Sequence, residues 1–347
     1  MDKTVIFAVA GSGKTSRIVE KLDETRRFLI VTYTEANREN LRAKIIERFK
    51  YFPPNIYLYT YFTFLHGFCY KPFLRSAKNT QGLTFQLPLT NGPMYALTDD
   101  RRFITSGRRL YHNRLAKFLE QTGIVNRVIP RVEKYFDAVF VDEVQDFAGH
   151  DFNFLTSLCK ANVPSLFVGD FYQHTYDTSR DGNINSNLHA DYDAYQKRFK
   201  AAKMNVDLTS LAKSHRCSKT VCDFITEKIG IQIESHSDRV SKVAFTDDAA
   251  TVRALYDSRD TVKLFLSEHY DYGCYSQNWG AVKGLDHYED VCVVLNPGNV
   301  KAWKTGHFRD INTATKNKLY VACSRARGNL TFVPAALLKP YRASEKH

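Results

Sequence analysis

The sequence has no run near the roughly 20 apolar residues that a membrane helix needs, and its N-terminal stretch MDKTVIFAVAGSGKT has neither a basic leader nor a small-residue cleavage site. These absences argue against a membrane span and against secretion. Cysteine is sparse: Cys69, Cys159, Cys217, Cys222, Cys274, Cys292 and Cys323 are odd in number and form no CxxC pair. Nothing in that spacing suggests zinc or redox chemistry, the chain's length rules out a disulfide-stapled miniature, and the cysteines suit reduced thiols in a cytosol-like compartment. Internal repeats, low-complexity tracts and long flexible linkers are missing as well. What remains is 347 residues with 44% apolar and 25% charged side chains, enough for two ordinary domains that each bury a core.

Charge is present in excess and unevenly spread. Between Lys71 and Arg131 eleven Lys/Arg stand against three acids, a net +8 of the chain's +12. A concentrated positive segment suits a polyanion, because each phosphate that it neutralises releases condensed counterions. On charge alone, a solvated basic face without a ligand fits equally well.

Residues 4 to 9, TVIFAV, read as a buried parallel strand, followed by Ala10-Gly11-Ser12-Gly13-Lys14-Thr15 and by SRIVEKL with helical spacing. Strand, glycine-rich turn and helix in this order let successive backbone N–H groups face a triphosphate. Lys14 would reach the outer phosphates and the Thr15 hydroxyl would ligate Mg²⁺. Ala8 stands where the full pattern has a glycine. The competing reading is a tight turn with an incidental Lys-Thr.

A second apolar strand, Ala138 to Val141, ends in Asp142-Glu143-Val144-Gln145-Asp146. Carboxylates at the C-terminal end of a parallel strand lie where α/β sheets hold ligands. Asp142 is the expected second Mg²⁺ ligand, and Glu143 the general base for an attacking water. A third strand, Ser165 to Val168, leads into Gly169-Asp170-Phe171-Tyr172-Gln173.

With AVAGSGKT, VDEVQD and VGDFYQ in this order, the chain resembles the superfamily 1 helicases of the UvrD/Rep type. IVTYTEANRENLRAKI (30 to 45) is similar to that family's motif Ia, and TYFTFLHGF (60 to 68) to motif Ib. LAKSHRC (211 to 217), VKGLD (282 to 286) and LYVACSRAR (319 to 327) are similar to motifs IV, V and VI. The resemblance spans nearly the whole chain, and GSGKT, DEVQD and YVACSRAR carry most of it. Asn278-Trp279-Gly280-Ala281 departs from the family's Thr-x-His-Ser, and Asp286 replaces a glutamate.

The resemblance implies an α/β fold of two RecA-like P-loop domains with parallel sheets, 1–205 and 206–347, with a small basic insertion at about 68–134 in the first. It implies ATP and Mg²⁺ as cofactors, with Ala10, Gly11, Ser12, Gly13, Lys14, Thr15, His215, Gly284 and Asp286 around the nucleotide and Thr15 and Asp142 on the metal. Gln173 is expected to sense the γ-phosphate, and Arg216 and Arg325 to reach it from the second domain as arginine fingers. Tyr33, Thr34, Phe62, Phe64, His66 and Tyr176 are expected on the strand, where aromatic faces stack bases. In the insertion, Asn91-Gly92-Pro93 reads as a turn and RRLYHNRLAKFLEQTG (108 to 123) as a helix with basic residues on one face. The implied activity is ATP-dependent translocation on single-stranded DNA, 3′ to 5′, with RNA as the alternative strand. The implied setting is a monomer in the cytoplasm or on the nucleoid, working with a nuclease or a replication or repair protein. A nucleotide-switched clamp without stepping is the second reading, and a small-molecule P-loop kinase the third.

Overall fold

The run Phe28–Thr32 is buried at all five positions, a pattern that fits a strand only inside a sheet covered on both faces. The computed structural model describes residues 2–89, 95–175 and 182–343 and places this run in a parallel sheet. The strands of the first half are β1 (Lys3–Phe7), β2 (Phe28–Thr32), β3 (Ile56–Thr60), β4 (Gly82–Thr84), β5 (Arg109–Tyr111), β6 (Ala138–Val141), β7 (Ser165–Gly169) and β8 (Asn205–Asp207). Six of them form one sheet among the described residues, in the order β3-β2-β6-β7-β1-β8. β2 pairs with β3 and β6, β6 with β7, and β1 with β8, all parallel. β1 stops at Phe7, so Ala8 and Val9 belong to the turn that follows it.

The chain separates into two units. One comprises Met1–Ile6, Lys14–Gly169 and Asp177–Asp207; the other comprises Phe7–Gly13, Asp170–Tyr176 and Leu208–His347. The second unit adds β9 (Lys213–Ser214), β10 (Glu234–Ser235), β11 (Val243–Phe245), β12 (Thr261–Phe265), β13 (Ser276–Asn278), β14 (Asp290–Leu295) and β15 (Leu330–Pro334). Its main sheet runs β11-β15-β14-β12-β13, again with parallel pairings. Val262, Leu264, Val291, Val293, Leu319 and Phe332 are fully buried in its core. The fold class is α/β, with two parallel-sheet units consistent with RecA-like domains.

The basic segment lies within the first unit and departs from the helix expected over 108–123. Arg109–Tyr111 is instead a strand that pairs in parallel with Gly82–Thr84, and the helix spans only Leu115–Gln121. The cause is local: Arg108 takes a left-handed backbone (φ 58°), which a continuing helix cannot accept, and Leu110 is fully buried. Lys117 is thus the one basic residue in that helix. The Asn91-Gly92-Pro93 turn, Tyr176 and the last four residues lie outside the described residues. No helix of the described residues is long and apolar enough to cross a membrane.

Candidate nucleotide and nucleic-acid sites

In the first unit, Lys14 opens the helix Lys14–Glu20 and Thr15 follows it; Asp142 and Glu143 follow β6. β1 and β6 are parallel members of one sheet with β7 between them, so both pairs of residues emerge at its carboxyl edge. Lys14 is 9% exposed and Asp142 2%. Glu143 has φ 56°, a left-handed conformation uncommon outside glycine, and its own N–H donates to Asp142 Oδ1 at 3.0 Å. The Gln145 amide donates to the Glu143 carboxylate, and the Tyr195 hydroxyl donates to Val144 O at 3.1 Å. A strained acidic turn held by several partners is how functional carboxylates are commonly fixed.

Gly169, the last residue of β7, presses against that turn. A Cβ there would lie 2.5 Å from Gln145 Oε1 and 2.6 Å from Val144 Cγ2. Gly169→Ala should therefore lower stability by about 1–3 kcal/mol through overpacking and displace the acidic turn. Thermal melting checks this, and an unchanged melting temperature would show that the turn yields freely.

In the second unit, the turn Phe7–Gly13 needs its glycines: Gly11 has φ 71° and Gly13 φ 89°. A Cβ on Gly11 would also lie 2.7 Å from Arg216 Cβ. Gly11 O accepts from His215 N–H at 2.9 Å, and Ala10 N–H donates to the Tyr320 hydroxyl at 2.9 Å. Tyr320 in turn donates to Asp170 Oδ2 at 2.9 Å, and Gln173 Nε2 donates to the same oxygen at 2.9 Å. One hydrogen-bonded chain thus runs from the glycine turn through Tyr320 and Asp170 to Gln173. Burial raises the Tyr320 phenol well above its ordinary pKa, so it stays a neutral O–H. Tyr320 opens the YVACSRAR segment, but only the folded hydrogen-bond chain shows what its hydroxyl joins.

Ser12 is 3% exposed, and its Oγ has no hydrogen-bond partner among the described residues. A buried hydroxyl left over in a turn of left-handed glycines fits a phosphate, which would satisfy it. Asp142 and the Thr15 hydroxyl are hard oxygen donors of the kind that Mg²⁺ takes alongside phosphate oxygens.

The two expected arginine fingers are engaged inside the second unit. Arg216 donates to Ser324 O at 3.1 Å and pairs with Asp286. Arg325 is 2% exposed and donates to Val321 O at 3.2 Å and Leu285 O at 3.1 Å, with Asp286 Oδ1 at 3.7 Å. Burial, aided by the nearby Arg216 charge, lowers its pKa to about 10. Asp286, expected beside the nucleotide, is here the counter-ion of both guanidinium groups. Gly284 (φ 83°) shapes the turn ahead of it. His215 is exposed, but its ring is stacked on His236 at 4.1 Å. Trp279 is fully buried, with its indole N–H donating to Leu264 O, and is therefore a core residue.

Among the expected strand contacts, Tyr33 and Phe62 sit together on the first unit, with ring centroids 5.6 Å apart. The Thr34 hydroxyl caps the helix Glu35–Phe49 by accepting from Asn37 N–H at 3.2 Å. Phe64 must be corrected: it is 0% exposed, packed on Phe68 and Tyr59 within the π-helical stretch Phe64–Tyr70, and offers no face to a base. His66 lies half-buried against Tyr70. Burial and the neighbouring Lys71 and Arg75 lower its pKa to about 4, so it is a neutral ring near pH 7.

No protein-family model matches the chain, and no curated protein matches it. Among solved structures it is similar to the PRRSV helicase, at 13% identity and a TM-score of 0.48, over 98% of this chain and 55% of that one. It is also similar to the arterivirus nonstructural protein 10 helicase, at 16% identity and a TM-score of 0.48. This holds for that helicase alone, over 97% of this chain and 62% of that one, and in complex with DNA, over 97% and 63%. The chain therefore spans less than two thirds of the length of these structures.

Proposed function

We propose that this chain is an ATP-hydrolysing translocase on single-stranded DNA, of the superfamily 1, UvrD/Rep type, with RNA as the alternative strand. One observation carries the reading: Lys14–Thr15 and Asp142–Glu143 leave the same edge of one parallel sheet, with a single strand between theirs. In this reading the turn from Ala10 to Gly13, with Lys14, holds the triphosphate, and Thr15 and Asp142 hold Mg²⁺. The metal would neutralise charge on the phosphates. Glu143 takes a proton from the attacking water, and Gln173, tied to Asp170, reports the terminal phosphate.

Arg216 and Arg325, both held at Asp286, are the two guanidinium groups that reach the terminal phosphate as arginine fingers. Residues 1–205 and 206–347 act as the two domains of the motor, and differential grip on the strand during the nucleotide cycle gives stepping, 3′ to 5′ by the motif resemblance. The setting is intracellular, as a monomer, with a nuclease or a replication or repair protein as partner.

Hydrolysis measured with and without single-stranded DNA and RNA oligomers tests the reading. Several-fold stimulation by a strand is expected, and no stimulation by any nucleic acid would remove the motor. Displacement of a strand from a tailed duplex separates a translocase from a nucleotide-switched clamp.

A further inference from the structure

Phe85 lies just beyond β4 and is 66% exposed, an unusual position for a phenyl ring in a segment so rich in charge. It is not an isolated ring. Phe62 meets it edge-on with centroids 5.8 Å apart, and His112 lies 4.9 Å away at an interplanar angle of 30°. Phe62 also meets His112 at 5.1 Å and Tyr33 at 5.6 Å. The β4–β5 pairing builds this cluster, since it brings His112, next after β5, beside Thr84, whose carbonyl lies 3.2 Å from His112 Nδ1. Burial lowers the His112 pKa, which favours an uncharged, stackable ring.

The surroundings select the kind of ligand. Arg109, exposed on β5, reaches Leu83 O at 3.3 Å, which sets a cation two residues from Phe85. The three acids of the basic segment are already paired locally: Asp99 with Arg101, Asp100 with Lys78, and Glu120 with His150. An open aromatic face beside positive charge that its own acids do not offset suits a strand with both phosphates and unpaired bases. A purely apolar protein surface would not use the charge.

We infer that Phe85, backed by Phe62 and His112, is a base-stacking platform by which the insertion extends the strand path that starts at Tyr33. This rests on the nucleic-acid reading above and assigns Phe85 and His112, which no motif marks. Since stacking ignores base identity, the platform binds without sequence preference.

The test is fluorescence anisotropy of the full chain, without nucleotide, on a labelled thymidine oligomer and on an abasic oligomer of equal length and charge. The wild type should bind the thymidine strand more tightly than the abasic one. Phe85→Ala should weaken thymidine binding roughly tenfold and narrow the difference between the two strands by the same factor, leaving the part that Tyr33 and Phe62 supply. Phe85→Leu, which keeps apolar bulk without a π face, should behave like Phe85→Ala, and Phe85→Trp like the wild type. Phe85 is surface-exposed, so unchanged melting temperatures are expected throughout.

If the wild type discriminates between the strands and Phe85→Ala does so equally, the platform is refuted while the nucleic-acid reading stands. Full rescue by leucine, or a change in self-association with strand binding untouched, would instead assign Phe85 to an apolar contact. If the wild type binds neither oligomer, both fail.

Discussion

Glu143→Gln is expected to slow nucleotide hydrolysis by about 10²–10⁴-fold while leaving the fold and nucleotide binding in place, because glutamine keeps the shape but cannot take a proton. The residue is the one acidic group of the turn with a left-handed backbone, and the Gln145 amide holds its carboxylate. A side chain fixed in a conformation that costs energy is positioned for something other than stability. The measurement is strand-stimulated hydrolysis at saturating ATP, with nucleotide affinity determined separately. Activity within a few-fold of the wild type would move the base to another group. Lys14→Ala is the companion variant, and it should lose nucleotide affinity as well as rate, since lysine acts as a point charge on the phosphates. The split between the two readouts separates the base from the phosphate anchor.

Arg325→Ala is expected to cost about 3–5 kcal/mol of stability, the range for removing one partner of a buried ionic network. The guanidinium fills space in the second unit's core and serves the carbonyls of Val321 and Leu285. Asp286 keeps its pairing with Arg216 and is 54% exposed, so little charge penalty falls on it and most of the loss comes from the cavity and the two unserved carbonyls. Urea unfolding checks the magnitude. Asp286→Asn removes the counter-charge but keeps an acceptor oxygen, and Arg325 keeps its bonds to Val321 O and Leu285 O, so it should cost less. Arg325→Lys keeps the charge but loses the planar fork, and should fall between the two. If Arg325→Ala unfolds like the wild type yet cannot hydrolyse ATP, the residue is the free finger that motif resemblance suggests.

How much was legible in the sequence varied from site to site. The glycine turn and the acidic turn were readable because their chemistry is local: Gly11 and Gly13 need positive φ, and Asp142 follows a four-residue buried strand. The expected helix over 108–123 failed at its first half, since pairing of β5 with β4 joins segments 27 residues apart, which helical spacing cannot foresee. Phe64 and Phe62 are two residues apart in one motif, and nothing in their order says that the first faces the core and the second does not.

The sequence by itself therefore determined the α/β class, the glycine turn after β1 and the acidic strand end, where a few neighbouring residues dictate the backbone. Tertiary structure alone decided what depends on distant partners: Tyr320 joining the glycine turn to Asp170, Asp286 drawing in Arg216 and Arg325, and Phe85 standing open beside His112. Side chains far apart in the chain meet only after the sheets have formed, and their burial and pairing, rather than their identity, fix what each can do.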